Sequence, residues 1–400
     1  PAAVESAPQR EAAAPRWGDR LQMTPSQQES ILKPAGWMHY RYPFIYGQPD
    51  TRQFPLATWR SAANWLHGGV RDPAWVIDHI DQDVPMLIEQ IRTRVLPKRG
   101  IVAAPDEILI TLGSQNALYL LTRLLLSSTT RIGVENPCFR EAINTFLLAD
   151  AEVVPHPVDE EGIVLNERPC DYYYVTPGHQ VPTGVTMSSA RRRQLLEHAA
   201  RHDAVIIEDD YDSESNFTLN PLPALKASDR SGRVVYVSSL SKALSPGLRL
   251  GFMVADPDLI DEARALRRLV YRHPPTNIQY QMAHFLAQGH YETHLRRYHY
   301  DSAQRWERLH AALQRYLPSC RALAGSEHAN AFWLQTPAQI NTQQLTWRAA
   351  HAGVLIEPGA RHFLSAAPPD NYFRMGFHAI NPDAIAQGVE VLRGQLEQMG

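Results

Sequence analysis

The fold is indicated most strongly by the stretch from Val234 to Ala255, VVYVSSLSKALSPGLRLGFMVA. It contains two apolar runs, Val234–Ser238 and Leu250–Ala255, separated by a serine-rich turn that holds one lysine, Lys242. Runs that are apolar at nearly every position are typical of strands buried on both faces of a sheet. We therefore predict a strand, a polar turn and a second strand here.

The same pattern continues upstream, where short apolar runs alternate with helical segments from about residue 105. This alternation predicts an α/β domain with a largely parallel sheet. The predicted strands are Ile108–Leu112, Arg131–Glu135, Tyr172–Thr176 and Ala204–Glu208, with helices such as Asn116–Leu126 and Ser188–Arg201 between them.

The pattern changes downstream of about residue 280. A long charged segment, Tyr291–Leu317, is typical of one or two exposed helices. Short apolar runs follow at Ala331–Gln335, Val354–Glu357 and Phe373–Phe377. These features predict a smaller α+β domain.

The composition is that of an ordinary globular protein, with 400 residues, 44% hydrophobic residues and a net charge of -3. This length favours two or three packed units, and the charge gives no indication of nucleic-acid binding. Cys138, Cys170 and Cys320 are odd in number and far apart, so they predict no disulfide framework and no zinc site. Because the cysteines imply no disulfide framework, we expect a protein of the reducing cytoplasm. No apolar run is long enough to cross a bilayer.

Lys242 is the first candidate for chemistry. A lysine at the end of a buried strand can be desolvated, which lowers its pKa and makes the amine nucleophilic. The hydroxyl of Ser239 and the guanidinium of Arg249 are suited to a phosphate dianion. The alternative is a surface lysine in a polar loop.

Acidic residues follow another predicted strand, in the segment Ile206–Asp212. At the carboxyl end of a strand in an open α/β sheet, such residues lie where ligands bind. One carboxylate there could pair with a protonated pyridine nitrogen. A metal site or a solvated acidic turn is the alternative, but no histidine is close in sequence, and we predict no metal.

Two further segments contain binding candidates. Gly113-Ser114-Gln115 opens a predicted helix, whose free amides suit phosphate, although a simple helix cap also explains it. Arg374 lies within an apolar run and needs an anionic partner. A substrate carboxylate would serve, and so would a structural Asp or Glu; the residues alone favour the structural ion pair.

In combination, these segments resemble the fold type I pyridoxal 5′-phosphate (PLP) enzymes of aminotransferase class I/II, from about residue 40 to the C-terminus. The sequence is most similar to the aminotransferase-like domain of MocR-type proteins, in the segments TPGHQVPTGVTMSSARRRQLLEHA, IIEDDYDSE and SLSKALSPGLRLGF. The resemblance implies a large domain with a mostly parallel seven-stranded sheet and a smaller α+β domain. We expect a flexible arm over 1–35, a small-domain segment over 36–60, the PLP-binding domain over 61–285 and the small domain over 286–400.

The resemblance also implies a role for each matching residue. The catalytic residues would be Lys242, which forms a Schiff base with PLP and moves the substrate proton, Asp209, which pairs with the pyridine nitrogen, and Tyr211, which hydrogen-bonds the ring O3′. The phosphate would be held by Gly113, Ser114, Gln115, Ser239 and Arg249, and Phe139 would stack on the ring. Arg374 would bind the substrate carboxylate, and Gly47 would lie close to the substrate.

Two departures from the family pattern stand out. Val181 occupies the position where many members have an asparagine before Pro-Thr-Gly. Asp78 and Asp83 align with a tyrosine and a glycine of the family, and that tyrosine normally reaches the phosphate of the partner subunit. The second departure leaves PLP reactions other than transamination open.

The resemblance implies an enzyme that transfers the amino group of an amino acid to a keto acid, in a homodimer with shared active sites. A second hypothesis is the effector-binding domain of a MocR-type regulator, as part of a longer chain. Fewer than 50 residues precede Gly47, and they are not a helix-turn-helix, so we expect no nucleic-acid binding by this chain alone. A third hypothesis is PLP-dependent elimination, decarboxylation or oxygen-dependent oxidation.

Overall fold

A computed structural model describes residues 16–31, 33–69, 74–78, 81–215, 217, 221–322 and 329–399. The first part of the predicted flexible arm, residues 1–15, lies outside these ranges. Among the described residues, no helix combines the length and the apolar character that a membrane span requires.

The strands are short, and most lie within a residue or two of their predicted positions. They are β1 (Tyr42–Pro43), β2 (Ile108–Thr111), β3 (Arg131–Asn136), β4 (Glu152–Asp159), β5 (Gly162–Ile163), β6 (Tyr172–Val175), β7 (Val205–Asp210), β8 (Val234–Ser239), β9 (Gly251–Val254), β10 (Arg321–Ala322), β11 (Ala331–Gln335), β12 (Val354–Leu355), β13 (Glu357–Pro358) and β14 (Tyr372–Gly376).

Ten α-helices are found within the described ranges, and the charged segment near residue 300 forms one long helix. They are α1 (Leu56–Gly69), α2 (Pro85–Gln90), α3 (Ser114–Leu125), α4 (Arg140–Leu147), α5 (Ser189–Arg201), α6 (Pro257–Tyr271), α7 (Thr276–Ala287), α8 (His290–Tyr316), α9 (Thr342–His351) and α10 (Ile385–Glu397).

The large sheet has eight strands in the described part of the chain, in the order β2-β9-β8-β7-β6-β3-β4-β5. The pairs from β4 through β3, β6 and β7 to β8 are parallel, and β9 runs antiparallel to both of its neighbours. The α/β class and the mostly parallel sheet are confirmed. The resemblance implied seven strands, and the sequence pattern placed six of them. It missed β4, which is only partly buried and contains two prolines, and the two-residue β5, which is too short to leave a pattern.

Both faces of this sheet are buried, as the apolar runs predicted. On β2, Ile108 and Ile110 join one hydrophobic cluster whereas Leu109, between them, joins another. Because successive side chains of a strand point to opposite faces, these clusters lie on opposite sides of the sheet. Phe252 and Met253 on β9 divide in the same way.

A smaller antiparallel sheet, in the order β10-β11-β14-β13, follows in the C-terminal part of the chain. The predicted strand Val354–Glu357 is instead two strands, because β12 pairs with β1 while β13 pairs with β14. The pairing of β1 with β12 brings the segment before Gly47 to the C-terminal part. The division of the chain at residues 60 and 285 stays a prediction.

Asp78 and Asp83, the aligned departures, both form ion pairs. Asp83 is buried and accepts from Arg267 Nη1 at 2.7 Å and from Arg264 Nη1 at 3.0 Å, which ties the segment before α2 to α6. Asp78 pairs with Arg272 Nη1 at 3.4 Å and lies 2.9 Å from His273 Nε2. The buried carboxylate of Asp83, between two guanidinium groups, has a structural role. Replacing the acidic or the basic side chains by neutral ones would leave a buried charge without its partner.

Candidate active site

The carboxyl ends of β2, β7 and β8 meet at one edge of the large sheet, because these three strands run in the same direction. A cavity of about 330 Å³ lies there. Every predicted site residue lines it, namely Gly47, Gly113, Ser114, Gln115, Phe139, Asp209, Tyr211, Ser239, Lys242, Arg249 and Arg374. Their individual roles stay predictions.

One end of the cavity is built for an anion. The first amides of α3, on Ser114 and Gln115, have no partner within the helix, and the helix dipole adds positive potential there. Gly113 precedes them with φ +89°, and a Cβ on it would come within 3.0 Å of Arg249 Nη2. Arg249 is fixed by a 2.8 Å hydrogen bond from Nη2 to the carbonyl oxygen of Leu112. Arginine, amides and close backbone approach together suit a phosphate.

Asp209 contributes an unpaired carboxylate oxygen. Its Oδ2 accepts from the Tyr174 hydroxyl at 2.9 Å, whereas its Oδ1 is buried and has no partner among the described residues. Burial raises the pKa of Asp209 to about 7. A carboxylate in such a place needs a cationic partner, and the protonated pyridine nitrogen of PLP supplies one. The residues present therefore fit the cofactor.

Lys242 faces the same cavity between two tyrosines. Its Nζ donates to the Tyr46 hydroxyl at 2.6 Å and lies 4.0 Å from the ring centroid of Tyr211. Burial lowers the pKa of Lys242 to about 8, against the opposing influence of Asp212. The alternative of a surface lysine in a polar loop does not describe this position.

The lowered pKa predicts how covalent attachment of PLP to the cofactor-free protein depends on pH. Only the neutral amine attacks an aldehyde, so the attachment rate rises with pH and levels off above about 8, the pKa of Lys242. Stopped-flow absorbance measures this rate. Nα-acetyl-lysine in solution, whose side-chain amine is free, is the control. A rate that keeps rising toward the ordinary lysine pKa of 10.5 would contradict it.

Arg374, predicted to bind a substrate carboxylate, lines the same cavity and is ion-paired with Glu357. Its Nη2 lies 2.7 Å from Glu357 Oε1, and its guanidinium carbon lies 4.2 Å from the Tyr46 ring centroid. The structural ion pair that the residues favoured is therefore present. Yet the Nε of Arg374 is buried and has no partner within the described ranges, so the group keeps a free donor.

The cavity residues that the sequence did not single out include Lys33, Tyr46 and Glu357. Tyr46 directly precedes Gly47, a predicted site residue, so the position of Gly47 could have indicated Tyr46. Lys33 falls within the predicted arm, although part of that arm packs on α4, where Asn144 Nδ2 donates to the Glu29 carbonyl oxygen at 2.7 Å. No pattern in the sequence pointed to Lys33 or Glu357.

The Val181 departure places an apolar side chain in the cavity wall. The neighbouring Gln180 is committed elsewhere, since its Nε2 donates to the carbonyl oxygens of Pro137 and Val181 at 2.7 and 2.6 Å. Tyr211 donates its hydroxyl to the carbonyl oxygen of His179 at 3.1 Å. Tyr211 also lines the cavity and, unlike Val181, carries a hydroxyl group.

An anion cradle, a desolvated amine and an unpaired carboxylate at the strand ends are what a fold type I PLP domain requires. The chain belongs to the aminotransferase class I and II family, whose model matches residues 81–391. It is 39% identical to the HTH-type transcriptional regulator TauR of Rhodobacter capsulatus, over 88% of this chain and 72% of that protein. It is also 30% identical to a 2-aminoadipate transaminase of Thermus thermophilus, over 74% and 78% of the two chains.

Solved structures agree with this assignment. The kynurenine aminotransferase of Pyrococcus horikoshii superposes with a TM-score of 0.82 and 26% identity, over 89% of this chain and 90% of that one. LysN of Thermus thermophilus, an α-aminoadipate aminotransferase complexed with N-(5′-phosphopyridoxyl)-L-leucine, gives 0.82 and 26%, over 97% and 98%. The cofactor is PLP, and the domain is related to MocR-type proteins.

Proposed function

We propose that this chain is an enzyme that transfers the α-amino group of an amino acid to a keto acid with PLP. The observation that carries the proposal is the meeting of Lys242, with its lowered pKa, and the unpaired Oδ1 of Asp209 in one cavity. When bound, PLP supplies an electron sink for the negative charge that develops at the substrate α-carbon.

The chain's own residues divide the remaining work. Lys242 would hold the cofactor covalently and then move a proton from the substrate α-carbon, for which an amine with a pKa near neutrality is suited. Asp209 would keep the pyridine nitrogen protonated. Arg249, Ser239 and the first amides of α3 would hold the phosphate.

Arg374 would orient the amino acid by its carboxylate. The free Nε donor and the Tyr46 ring beneath the guanidinium fix where an anion can approach. Gly47 lines the same cavity. This arrangement would place the substrate α-carbon within reach of Lys242 for proton transfer.

A panel of amino acids tests the proposal. We expect cofactor-loaded protein to convert at least one of them to its keto acid and to aminate an added keto acid, as followed by mass spectrometry. Heat-denatured protein loaded with the same amount of PLP is the control. Absence of keto acid from every amino acid, or ammonia as the nitrogen product, would contradict amino transfer.

A second candidate is the effector-binding domain of a transcription regulator. The 39% identity to TauR, of which this chain spans 72%, favours it. In that case an amino compound would change the cofactor absorbance without release of a keto acid. The same panel therefore separates the two functions. Under either, we propose a homodimer that does not bind nucleic acid through this chain alone.

A further inference from the structure

Arg374 and Glu357 lie opposite each other in the antiparallel pairing of β14 and β13. Arg374 Nη2 contacts both carboxylate oxygens of Glu357, at 2.7 Å for Oε1 and 3.0 Å for Oε2. A carboxylate that neutralised Arg374 would compete with a substrate carboxylate for the same charge. What balances the charge of Glu357 therefore decides whether Arg374 can bind an anion.

His362 is the other partner of Glu357, and it is fully buried. Its Nε2 lies 2.9 Å from Glu357 Oε1, and its Nδ1 lies 2.8 Å from the carbonyl oxygen of Cys138. Both of these oxygens accept hydrogen bonds, whereas a neutral imidazole carries only one N–H group. One further proton therefore belongs between His362 Nε2 and Glu357 Oε1.

This proton fixes the charge of the set. Whether it resides on the imidazole or on the carboxyl group, Glu357 and His362 together carry no net charge. Although burial opposes this, Arg374 and His362 lower the pKa of Glu357 to about 2, so the carboxylate is ionised and the shared proton lies on His362 Nε2. Burial lowers the pKa of His362, and the hydrogen bond to Glu357 raises it. Arg374 then keeps its full positive charge, and the amine of Lys33 adds to the positive potential of the cavity.

We propose that Glu357 and His362 are positioning residues: Glu357 orients Arg374, and the proton shared with His362 leaves the charge of Arg374 available to a substrate carboxylate. The inference rests on the proposed function, in which Arg374 binds that carboxylate. The pair resolves how one arginine can be ion-paired and still bind an anion. The Nε of Arg374, which has no partner among the described residues, is one donor that remains for it.

Titration of cofactor-loaded protein with valerate, a monocarboxylate without an amino group, tests this, with the cofactor absorbance band as the readout. His362→Phe keeps a ring beside Trp333 but removes the proton site, so Glu357 stays ionised and neutralises Arg374. We expect valerate to bind about tenfold more weakly or worse, since a full charge is lost at close range. The double variant His362→Phe with Glu357→Gln should restore binding, because glutamine orients Arg374 without a charge.

In Glu357→Gln the carboxylate that holds the proton on buried His362 is gone, so the imidazole becomes neutral and the net charge equals that of the wild type. This variant should bind valerate with nearly unchanged affinity. Glu141→Gln, which removes a carboxylate from the same cavity without touching Arg374, is the matched control for general electrostatics. Tighter binding to Glu357→Gln by about tenfold would show that Glu357 neutralises Arg374 in the wild type, and would overturn the inference.

A double variant as weak as His362→Phe would also overturn it, because His362 would then act only on packing. No valerate binding by the wild type would do the same. Amino transfer is measured separately on the wild type. If the protein shows the expected valerate pattern but never aminates a keto acid, the inference about the shared proton stands and the proposed amino transfer is wrong.

Discussion

Lys242→Ala abolishes covalent attachment of PLP and lowers amino transfer by about 10³-fold or more, since it removes both the nucleophile and the group that moves the proton. The cavity offers no replacement within the described residues that is equally placed, because Lys33 enters from the segment before Gly47 rather than from the end of β8. The phosphate end, built from α3 and Arg249, is unchanged. The variant should therefore still bind PLP, but reversibly.

Borohydride reduction followed by mass spectrometry measures the attachment directly. Wild-type protein should give one modified peptide that contains Lys242, and the variant should give none. Lys98→Ala, a lysine outside the cavity that pairs with Glu292 at 3.5 Å, is the control and should be modified like the wild type. Covalent attachment at another lysine of the unaltered protein would show that the assignment is wrong.

Asp209→Asn is expected to lower the rate of amino transfer by at least about 10²-fold, as loss of a preorganised electrostatic partner does in other enzymes. The amide has the shape of the carboxyl group but cannot hold the pyridine nitrogen protonated. Its hydrogen bond with Tyr174 can be kept, so the fold should tolerate the change. Steady-state rates at saturating PLP, with bound cofactor quantified, measure the effect.

The melting temperature of the cofactor-free protein gives a second readout, which Asp209→Asn is expected not to lower. Burial raises the pKa of Asp209 from 3.8 to about 7 in the folded protein, so its contribution to stability is lost as pH rises through this window. Above pH 7, cofactor-free Asp209→Asn should therefore melt no lower than wild type. Asp210→Asn is the matched control and should melt lower, since Asp210 pairs with buried Arg99 at 2.7 Å. A lower melting temperature for Asp209→Asn would show that a partner stabilises the charge of Asp209 in the cofactor-free protein, and would contradict this prediction.

The sequence predicted the large sheet well because its strands are buried on both faces and are therefore apolar throughout. Asp209 lies at the carboxyl end of β7 and Lys242 lies in the turn after β8, so their meeting at one sheet edge could be inferred from chain order. The eight-residue β4 was missed because it is only partly buried and contains two prolines. The two-residue β5, β12 and β13 were missed or merged, because a strand of that length has no periodicity to detect.

The surroundings of Arg374 could not be predicted for a related reason. Glu357 faces Arg374 only through the register between β13 and β14, and His362 reaches Glu357 only through the turn that follows β13. Register over two residues is fixed by the tertiary structure and not by the local pattern. Lys33 lies in a segment without hydrophobic periodicity, so nothing local indicated that its amine enters the cavity.

We expect PLP held by Lys242 to accept the amino group of an amino acid. A single turnover with an amino acid labelled with ¹⁵N at the α-amino group, performed without oxygen and without a keto acid, measures this most directly. We predict that the label appears on pyridoxamine phosphate, with one equivalent of keto acid for each loaded site. Label released as ammonia, or amino acid that remains intact while the absorbance changes, would contradict the account.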